Sequence, residues 1–306
     1  MNTVRNLLRF LLLAATTTVA WVVLLLHRSP CPCGHRGQWD PSSSQHGAED
    51  KQDGELAAVL RRAAMEDNTI IMTFTNEAFA APGSLMDLFL ESFRLAAFGR
   101  CRQVHPHCYA LATGGANFTG EQRFMARDYL DMMWRRNRFQ ARVLAPGYSF
   151  VFADVDMVWF RNPLLRVPVA TDLAMPCDNP YDLDKRANGG LCTPGPAPGP
   201  SRSTARAWYG ARGAHPGKNE QDLFDKLKRE LSAAHGVAAQ FVDTDYLGGF
   251  CERRKRRDFN KLCTYHGNCL VGLRTKLERL RGVLDEWKEF KAKAGKPGSN
   301  VTALTD

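Results

Sequence analysis

Two aspartates separated by one residue, Asp154 and Asp156, directly follow a short and strongly apolar run at residues 148–153. A run of this length and composition is typical of a buried β-strand. Carboxylates at the end of such a strand can bind a hard divalent cation, which completes its coordination with phosphate oxygens and water. Because ligands bind at strand ends in α/β sheets, the pair predicts a metal site for a nucleotide diphosphate.

The same Asp-x-Asp spacing occurs at two other places, Asp182/Asp184 and Asp243/Asp245. The first of these pairs lies in a loop-like stretch, and the second follows a plausible but weaker strand. A surface turn is the alternative interpretation for every pair. We favour metal binding at residues 154 and 156 because only there does a strong strand lead into a matching continuation at residues 157–163.

The chain has 306 residues and a formal net charge of +9, part of which comes from a basic run at residues 253–257. This length suffices for one α/β domain with a full core. A basic balance suits nucleotide sugars, acidic polysaccharides or anionic membranes. We expect no nucleic-acid partner, because the sequence has no zinc-ligand spacing, basic amphipathic repeat or aromatic RNA-binding signature. The basic run is interpreted as a solvated loop.

The N-terminal segment predicts a membrane anchor. Residues 10–26 carry no charge, and the leucines at 7 and 8 bring the apolar stretch near the ~20 residues that span a bilayer. Arg5 and Arg9 lie on its N-terminal side, which favours a cytosolic tail at residues 1–6 and an anchor at residues 7–26. A cleavable signal peptide is the alternative, but the small-x-small cleavage site is missing.

Downstream of the anchor we predict a flexible stem at residues 27–66, a folded domain at residues 67–292 and a C-terminal tail at residues 293–306. The chain has nine cysteines, which is consistent with an oxidising lumen, and the odd number leaves at least one without an intramolecular partner. Two sequons, at Asn117 and Asn300, are usable for glycosylation if this part of the chain is lumenal.

Strands and helices alternate along the predicted domain, which implies an α/β fold with a mainly parallel sheet. The predicted strands are residues 69–74, 142–144, 148–153, 172–175 and 238–242. The predicted helices are residues 55–64, 203–212 and 218–231, helices that begin near Ser84 and near Thr119, and a last helix with Leu273, Leu277, Leu280, Leu284 and Trp287 on one face.

Five segments occur in a fixed order: residues 154–163, 188–190, 218–222, 241–243 and 265–269. In this order they resemble the plant nucleotide-diphospho-sugar transferase domain, a retaining glycosyltransferase family similar to family 77. The resemblance covers roughly residues 68–292. It implies a GT-A-like, Rossmann-like fold with a mixed, mainly parallel sheet flanked by helices, behind the N-terminal transmembrane helix of a type II Golgi membrane protein.

The resemblance also implies which residues hold the metal. Asp154 and Asp156 would bind Mn²⁺ or Mg²⁺ on the pyrophosphate of the donor, and His266 would be a third ligand from the C-terminal segment. The cation would neutralise the charge that develops on the departing nucleotide diphosphate. Without the family resemblance, a histidine at position 266 would be interpreted as a packed or surface residue and not as a metal ligand.

The remaining site residues are assigned by the same resemblance. Gln221 and Asp222 would lie near the reacting anomeric carbon, although the pair alone also suits a helix N-terminus. The substrate-binding residues would form a sugar-binding floor and a nucleoside contact: Asn188, Gly189 and Gly190 for the first, and Thr73, Thr75 and Asn76 for the second. Without its context, Asn-Gly-Gly is also typical of a turn.

We therefore expect a lumenal Golgi glycosyltransferase that moves a sugar from a nucleoside-diphosphate sugar, with a UDP-sugar favoured, to a cell-wall polysaccharide or glycoprotein with retention. Two departures from the family support an alternative, a catalytically impaired relative that binds glycan or an active partner enzyme. A strand typical of the family is missing near residues 98–101, and a proline-rich segment at residues 192–200 replaces another family strand. A third hypothesis assigns residues 253–257 to anionic lipid or pectin.

Overall fold

The computed structural model describes residues 46–95, 109, 111, 120–168, 171–179, 181, 183–194, 200–252 and 257–294. The chain divides into two compact units, Met1–Lys51 and Gln52–Asp306, and the account below concerns the second. The predicted anchor at residues 7–26, both sequons and Asp182 lie outside the described residues. Within the described ranges, no helix is both long enough and apolar enough to cross a membrane.

The described residues form eight strands in two sheets. They are β1 Thr69–Met72, β2 Ser149–Ala153, β3 Met157–Trp159, β4 Leu173–Pro176, β5 Leu191–Pro194, β6 Ala239–Val242, β7 Leu247–Gly249 and β8 Thr264–His266. The larger sheet has the order β1-β2-β5-β4-β6, and the smaller sheet has the order β3-β8-β7.

The larger sheet is mixed and mainly parallel, as predicted, because β1, β2, β4 and β6 run in one direction and only β5 runs in the opposite direction. Among the described strands, β1–β2, β4–β6 and β7–β8 pair in parallel, whereas β2–β5, β4–β5 and β3–β8 pair antiparallel. Parallel neighbours need a crossover connection, usually through a helix. The described residues between β4 and β5 form no helix, and these two strands accordingly pair in opposite directions.

Seven α-helices accompany the strands in the described part of the chain. They are α1 His46–Ala63, α2 Glu77–Ala80, α3 Leu85–Leu95, α4 Arg127–Leu144, α5 Pro200–Ala211, α6 Glu220–His235 and α7 Leu273–Ala294. Asn219 caps the N-terminus of α6, where its side chain accepts a hydrogen bond from the backbone N–H of Asp222 at 2.7 Å.

The β2 strand separates two apolar clusters, because successive side chains of a strand point to opposite faces. Val151 and Ala153 belong to the cluster that contains α3, α7 and Trp159, whereas Phe150 and Phe152 belong to the cluster on the other side. Every residue of β2 is buried. The continuous apolar run therefore marks a strand that is covered on both faces, as the sequence predicts.

Part of the predicted stem belongs to the folded unit. Leu56 and Leu60 of α1 are 5% and 3% exposed and pack into the cluster with Phe139 and Phe150. The apolar face of this helix gains its stability from that contact, since a helix of this length is marginal by itself in water. The folded unit therefore begins upstream of residue 67, the boundary predicted from the sequence.

Two local predictions around α4 are wrong. Residues 142–144, predicted as a strand, form the last turn of α4, where Val143 and Leu144 are buried. The helix predicted from near Thr119 begins only at Arg127, and Ala126 provides no side-chain cap there. A short apolar run cannot be assigned to strand or helix by periodicity alone, which explains the first error.

The proline-rich segment was expected to exclude a central strand, and that expectation is wrong for its first residues. Leu191–Pro194 forms β5, which lies between β2 and β4 in the larger sheet. Pro194 is the last residue of β5 and faces Leu173, so the earlier residues keep their backbone N–H groups. The segment near residues 98–101 lies outside the described residues, and β1 pairs only with β2 among those described.

Candidate metal centre

The turn between β2 and β3 holds the two aspartates in place. The backbone N–H of Asp154 donates to the carbonyl oxygen of Gly190 at 2.7 Å, and the N–H of Gly267 donates to the carbonyl oxygen of Asp156 at 2.8 Å. The side chain of Asp156 is 7% exposed and that of Asp154 is 26% exposed. The pair thus lies at the strand end, with one carboxylate buried and the other open to a ligand.

His266 ends β8 and faces the two aspartates, because β3 and β8 pair antiparallel with Met157 opposite His266. Its Nε2 atom lies 3.2 Å from Asp156 Oδ1 and 3.7 Å from Asp154 Oδ2. One ligand atom from each of the three residues lies within 4.8 Å of the other two. The structure therefore brings together the three residues that the sequence resemblance implies as metal ligands.

The hydrogen bonds of Asn188 fix the orientation of His266. Asn188 Nδ2 donates to Asp178 Oδ1 at 2.5 Å, so its Oδ1 atom faces the other way. That oxygen lies 3.0 Å from His266 Nδ1 and also accepts the N–H of Gly190 at 2.9 Å. Since an amide oxygen only accepts, the neutral His266 ring carries its proton on Nδ1. The Nε2 lone pair then points towards the aspartates, as in a metal-binding histidine.

Two cations that the sequence analysis missed contact the aspartates. Arg136 of α4 lies 2.5 Å from Asp154 Oδ1 and also pairs with buried Glu220, and its guanidinium lies 4.7 Å from the centre of the Phe152 ring. Lys276 of α7 lies 2.5 Å from Asp156 Oδ2. Both positions fall on the apolar stripe of a helix, where a charged residue is a signal of a buried partner.

Burial and charge shift the pKa values of the residues around Asp156. Burial alone would raise the pKa of the Asp156 carboxyl, but His266 and Lys276 hold it well below its usual range. Burial would lower the pKa of His266 and of Lys276, whereas Asp156 raises both, with a net upward direction. The Asp156 carboxylate thus stays ionised, the form that a divalent cation needs.

Asp178 connects three amide side chains around the centre. Its Oδ1 atom accepts from Asn188 at 2.5 Å and from Asn268 at 2.9 Å, and its Oδ2 atom accepts from Gln221 Nε2 at 3.3 Å. Gln221 Oε1 in turn accepts the backbone N–H of Gly189 at 2.8 Å. Asp178 therefore orients the amides that border the metal ligands, although it was not among the predicted site residues.

The Asn-Gly-Gly segment passes close to the metal ligands. A Cβ atom on Gly190 would collide with the His266 ring and would lie 2.8 Å from Asn188 Oδ1. A Cβ atom on Gly189 would lie 3.5 Å from Gln221 Oε1 and 3.6 Å from Glu220 Oε1. Glycine at position 190 is required by this approach of the backbone to the histidine.

Other predicted residues have a less direct connection with the centre. Thr73, Thr75 and Asn76 follow β1, whose C-terminal end lies beside that of β2 because the two strands are parallel. Asn76 caps α2 by accepting from Phe79 N at 3.0 Å. The Asp222 side chain forms no hydrogen bond or ion pair with another described residue. Its neighbour Gln221 borders the centre.

The other aspartate pairs have different partners. Asp184 pairs with Arg229 at 2.9 Å, and Asp245 pairs with Lys261 at 3.2 Å. In the part of the chain that the structure describes, the only group of three potential ligands is the one formed by Asp154, Asp156 and His266. The presence of His266 therefore separates the pair at residues 154 and 156 from the pair at residues 243 and 245, which also follows a strand.

A disulfide supports the segment that carries His266. Cys251 and Cys269 are bonded across 18 residues of sequence and join the end of β7 to the loop after β8. Asn268 lies in the same loop, where its Oδ1 atom accepts the N–H of Cys251 at 3.2 Å. The bridge and this hydrogen bond hold Asn268 against Asp178 and fix the exit of β8.

Comparisons with known proteins support the family resemblance. A family model described as nucleotide-diphospho-sugar transferase matches residues 95–280. The Arabidopsis thaliana protein At4g15970, described as uncharacterized, is 35% identical over 303 residues, which cover 89% of this chain and 77% of the relative. A second uncharacterized Arabidopsis thaliana protein, At1g28695, is 32% identical over 266 residues, which cover 78% of this chain and 79% of the relative.

Two solved structures show a more distant similarity. A glycosyltransferase involved in glycosylation of the major capsid of PBCV-1 matches 70% of this chain and 98% of its own, with 11% identity and a TM-score of 0.44. The galactosyltransferase LgtC, in complex with donor and acceptor sugar analogues, matches 71% of this chain and 95% of its own, with 11% identity and a TM-score of 0.38.

Proposed function

Because the chain belongs to the nucleotide-diphospho-sugar transferase family, we propose that it transfers a sugar from a nucleoside-diphosphate sugar to a glycan acceptor in a metal-dependent reaction. The observation that carries this proposal is the convergence of three ligand atoms, one each from Asp154, Asp156 and His266, which lie within 4.8 Å of one another. Asn188 Oδ1 faces Nδ1 of His266, so Nε2 is the ring nitrogen that faces the two carboxylates and would bind the cation.

The residues present suit a divalent cation such as Mn²⁺ or Mg²⁺. Asp154, Asp156 and His266 would hold it, and the partly exposed Asp154 leaves one side open to phosphate oxygens. When bound, the cation would neutralise negative charge on the departing nucleotide diphosphate.

Lys276 and Arg136 supply positive charge beside the ligands. The Lys276 ammonium lies on Asp156, and we propose that it shifts to a phosphate oxygen when a cation takes over the charge of that carboxylate. Arg136 is held on both sides by Asp154 and Glu220, so its role is to keep Asp154 in place. Both cations would stabilise a diphosphate electrostatically, without proton transfer.

The proposed donor site continues along the Asn-Gly-Gly segment. Gly189 and Gly190 let the backbone lie against Gln221 and His266, and this edge would form the floor under the sugar. The Gln221 amide borders that floor, and we assign it the position nearest the anomeric carbon. Retention of configuration is part of the proposal, and no carboxylate is assigned as a dedicated general base.

We further propose that the chain acts in the Golgi lumen as a type II membrane protein with a UDP-sugar as donor. The uncharged residues 10–26, preceded by Arg5 and Arg9, support an anchor with a cytosolic N-terminus. The disulfide between Cys251 and Cys269 suits an oxidising compartment. The acceptor would be a cell-wall polysaccharide or a glycoprotein glycan.

The test is nucleotide release from a panel of UDP-sugars, including galactose, xylose and arabinose donors, by the purified full chain with Mn²⁺. Asp156→Ala should reduce release at least a hundredfold, because the cation loses a ligand and Lys276 loses its partner. Asp285→Ala, which removes a carboxylate on an exposed face of α7, is the matched control. Release that survives Asp156→Ala would refute the proposal, and no release with metal binding intact would favour the impaired relative.

A further inference from the structure

A second cleft, of about 360 Å³, lies between α4 and the chain that links α5 to α6. This volume falls in the range of clefts that hold small molecules. The cleft is lined by two aromatic rings and a set of basic side chains. Those used below are Trp134, Tyr209, Arg135, Arg138, Arg212 and Lys218, and we call this surface the basic cleft.

The two aromatic rings of the basic cleft are held in fixed positions. Trp134 and Tyr209 meet edge to face with their centres 6.3 Å apart. Trp134 Nε1 donates to the carbonyl oxygen of Lys218 at 3.0 Å. The Arg212 guanidinium lies 3.7 Å from the centre of the Tyr209 ring and donates to the Tyr209 carbonyl oxygen at 2.9 Å. Both rings are only partly buried, so they present apolar surface at the cleft.

Positive charge in the basic cleft is not balanced from within. Its four cations are Arg135, Arg138, Arg212 and Lys218, and its one carboxylate is that of Asp131. Asp131 lies 2.7 Å from Arg135 and is thereby neutralised. The side chains of Arg138 and Lys218 are exposed, and neither forms an ion pair with another described residue.

The basic cleft and the metal centre are built on the same elements. Arg135, which lines the cleft, is followed in α4 by Arg136, which contacts Asp154. Lys218 lies two residues before Glu220, the other partner of Arg136. A molecule bound in the cleft would therefore lie against the middle of α4, which also carries Arg136, and beside the N-terminus of α6.

We propose that the basic cleft binds an acidic saccharide, a glycan that carries carboxylates, as the acceptor of the transferase. This inference rests on the proposed function. Aromatic rings supply apolar surface for the C–H faces of sugars, and arginine forks pair with carboxylates. Single-stranded nucleic acid is less suited, because it stacks successive bases on open rings and Arg212 covers one face of Tyr209.

The test is calorimetric binding of tetragalacturonate to the full chain, without metal or nucleotide, with cellotetraose as the neutral probe and an oligodeoxynucleotide of equal charge as competitor. The variant is Arg138→Gln/Lys218→Gln, which changes two exposed side chains and leaves the aromatic rings in place. Arg61→Gln/Arg281→Gln removes the same charge from exposed positions outside the cleft and is the matched control.

We expect tetragalacturonate to bind the wild-type chain at least tenfold more tightly than cellotetraose does. The affinity for tetragalacturonate should fall at least tenfold in Arg138→Gln/Lys218→Gln and should be unchanged in Arg61→Gln/Arg281→Gln. Equal binding of the two saccharides, equal binding by the two variants, or tighter binding of the oligodeoxynucleotide would overturn the proposal. Because the titration contains no metal or nucleotide, failure here is distinguishable from failure of the donor site, which nucleotide release reports separately.

Discussion

Among single residues, His266 depends on side chains that are remote in sequence. Asn188 orients the His266 ring, and Asp178 orients Asn188. The orientation of a proposed metal ligand therefore depends on Asp178, which is not itself a ligand. Such outer partners contribute to metal affinity because they hold the ligand in the correct tautomer. Asp178 is a positioning residue for the centre.

Asp178→Asn should therefore weaken metal binding while the fold persists. An amide in place of the carboxylate presents an N–H donor either to Gln221 or to Asn188 and Asn268, so one side of the hydrogen-bond network must rearrange. The hydrogen bonds that orient the His266 ring through Asn188 are thereby weakened. The expected loss is about 10- to 100-fold in Mn²⁺ affinity, measured by titration calorimetry. Asp285→Asn on the exposed face of α7 should leave the affinity unchanged. Wild-type affinity in Asp178→Asn, with unaltered unfolding, would contradict the assigned role.

At this scale the sequence predicted the residues whose signal is local. Asp154 and Asp156 follow a strand that is predicted directly from the apolar run at residues 148–153. His266 came from resemblance to a family and not from its own neighbours. Arg136 and Asp178 were missed because the fold, not a local pattern, brings Asp154 and Asn188 to them across 18 and 10 residues. Lys276 was missed because its partner Asp156 is 120 residues away. No spacing rule connects residues at that distance.

Among the elements, the loop after β8 has the greatest effect on the site. It follows His266, carries Asn268, and is joined to the end of β7 by the disulfide between Cys251 and Cys269. Without the bridge, this loop would be held only by its hydrogen bonds. The disulfide therefore links the stability of the unit to the geometry of the metal centre.

Removal of the bridge by Cys251→Ser/Cys269→Ser should lower the free energy of unfolding by about 3 kcal/mol, the value for a closed loop of this size. Chemical denaturation of the wild-type and variant chains, both without reductant, measures the change. Mn²⁺ affinity should fall in the same variant because Asn268 and His266 lose a constraint. The single variant Cys251→Ser should match the double variant, and unchanged stability in both would contradict this view of the loop.

The elements were predicted well where periodicity was long and poorly where it was short. The face of α7 that contains Leu280, Leu284 and Trp287 is buried as expected. Residues 142–144 were assigned to a strand, although they end a helix. The β5 strand was missed because prolines follow it, and its central place depends on pairing with β2 and β4, which local sequence does not encode.

At the scale of the whole molecule, α1 extends the folded unit beyond the predicted stem boundary. Leu56, Val59 and Leu60 are all less than 10% exposed, and two of them join the cluster around Phe139. Residues 27–66 were predicted to form a flexible stem because the average composition of the whole segment is polar. The average hides the apolar face of α1, and that face packs against the domain.

A chain that starts at residue 67 should therefore be less stable than one that starts at residue 46. Loss of three buried side chains removes about 4 kcal/mol or more of apolar burial and exposes Phe139. The unfolding temperature should fall by about 10 °C or more, as measured by calorimetric thermal scans. Equal unfolding temperatures for the two chains would show that α1 adds nothing to the core.

The central claim is that Asp154, Asp156 and His266 hold a divalent cation that binds a nucleotide diphosphate. Titration calorimetry of UDP into the purified full chain, with and without Mn²⁺, tests it most directly, with Asp154→Ala/Asp156→Ala as the variant and Asp285→Ala as the control. We predict UDP binding that requires Mn²⁺, is lost in the double variant and persists in the control. Binding of equal strength without Mn²⁺ or in the double variant, or no binding by a folded wild-type chain, would contradict the claim.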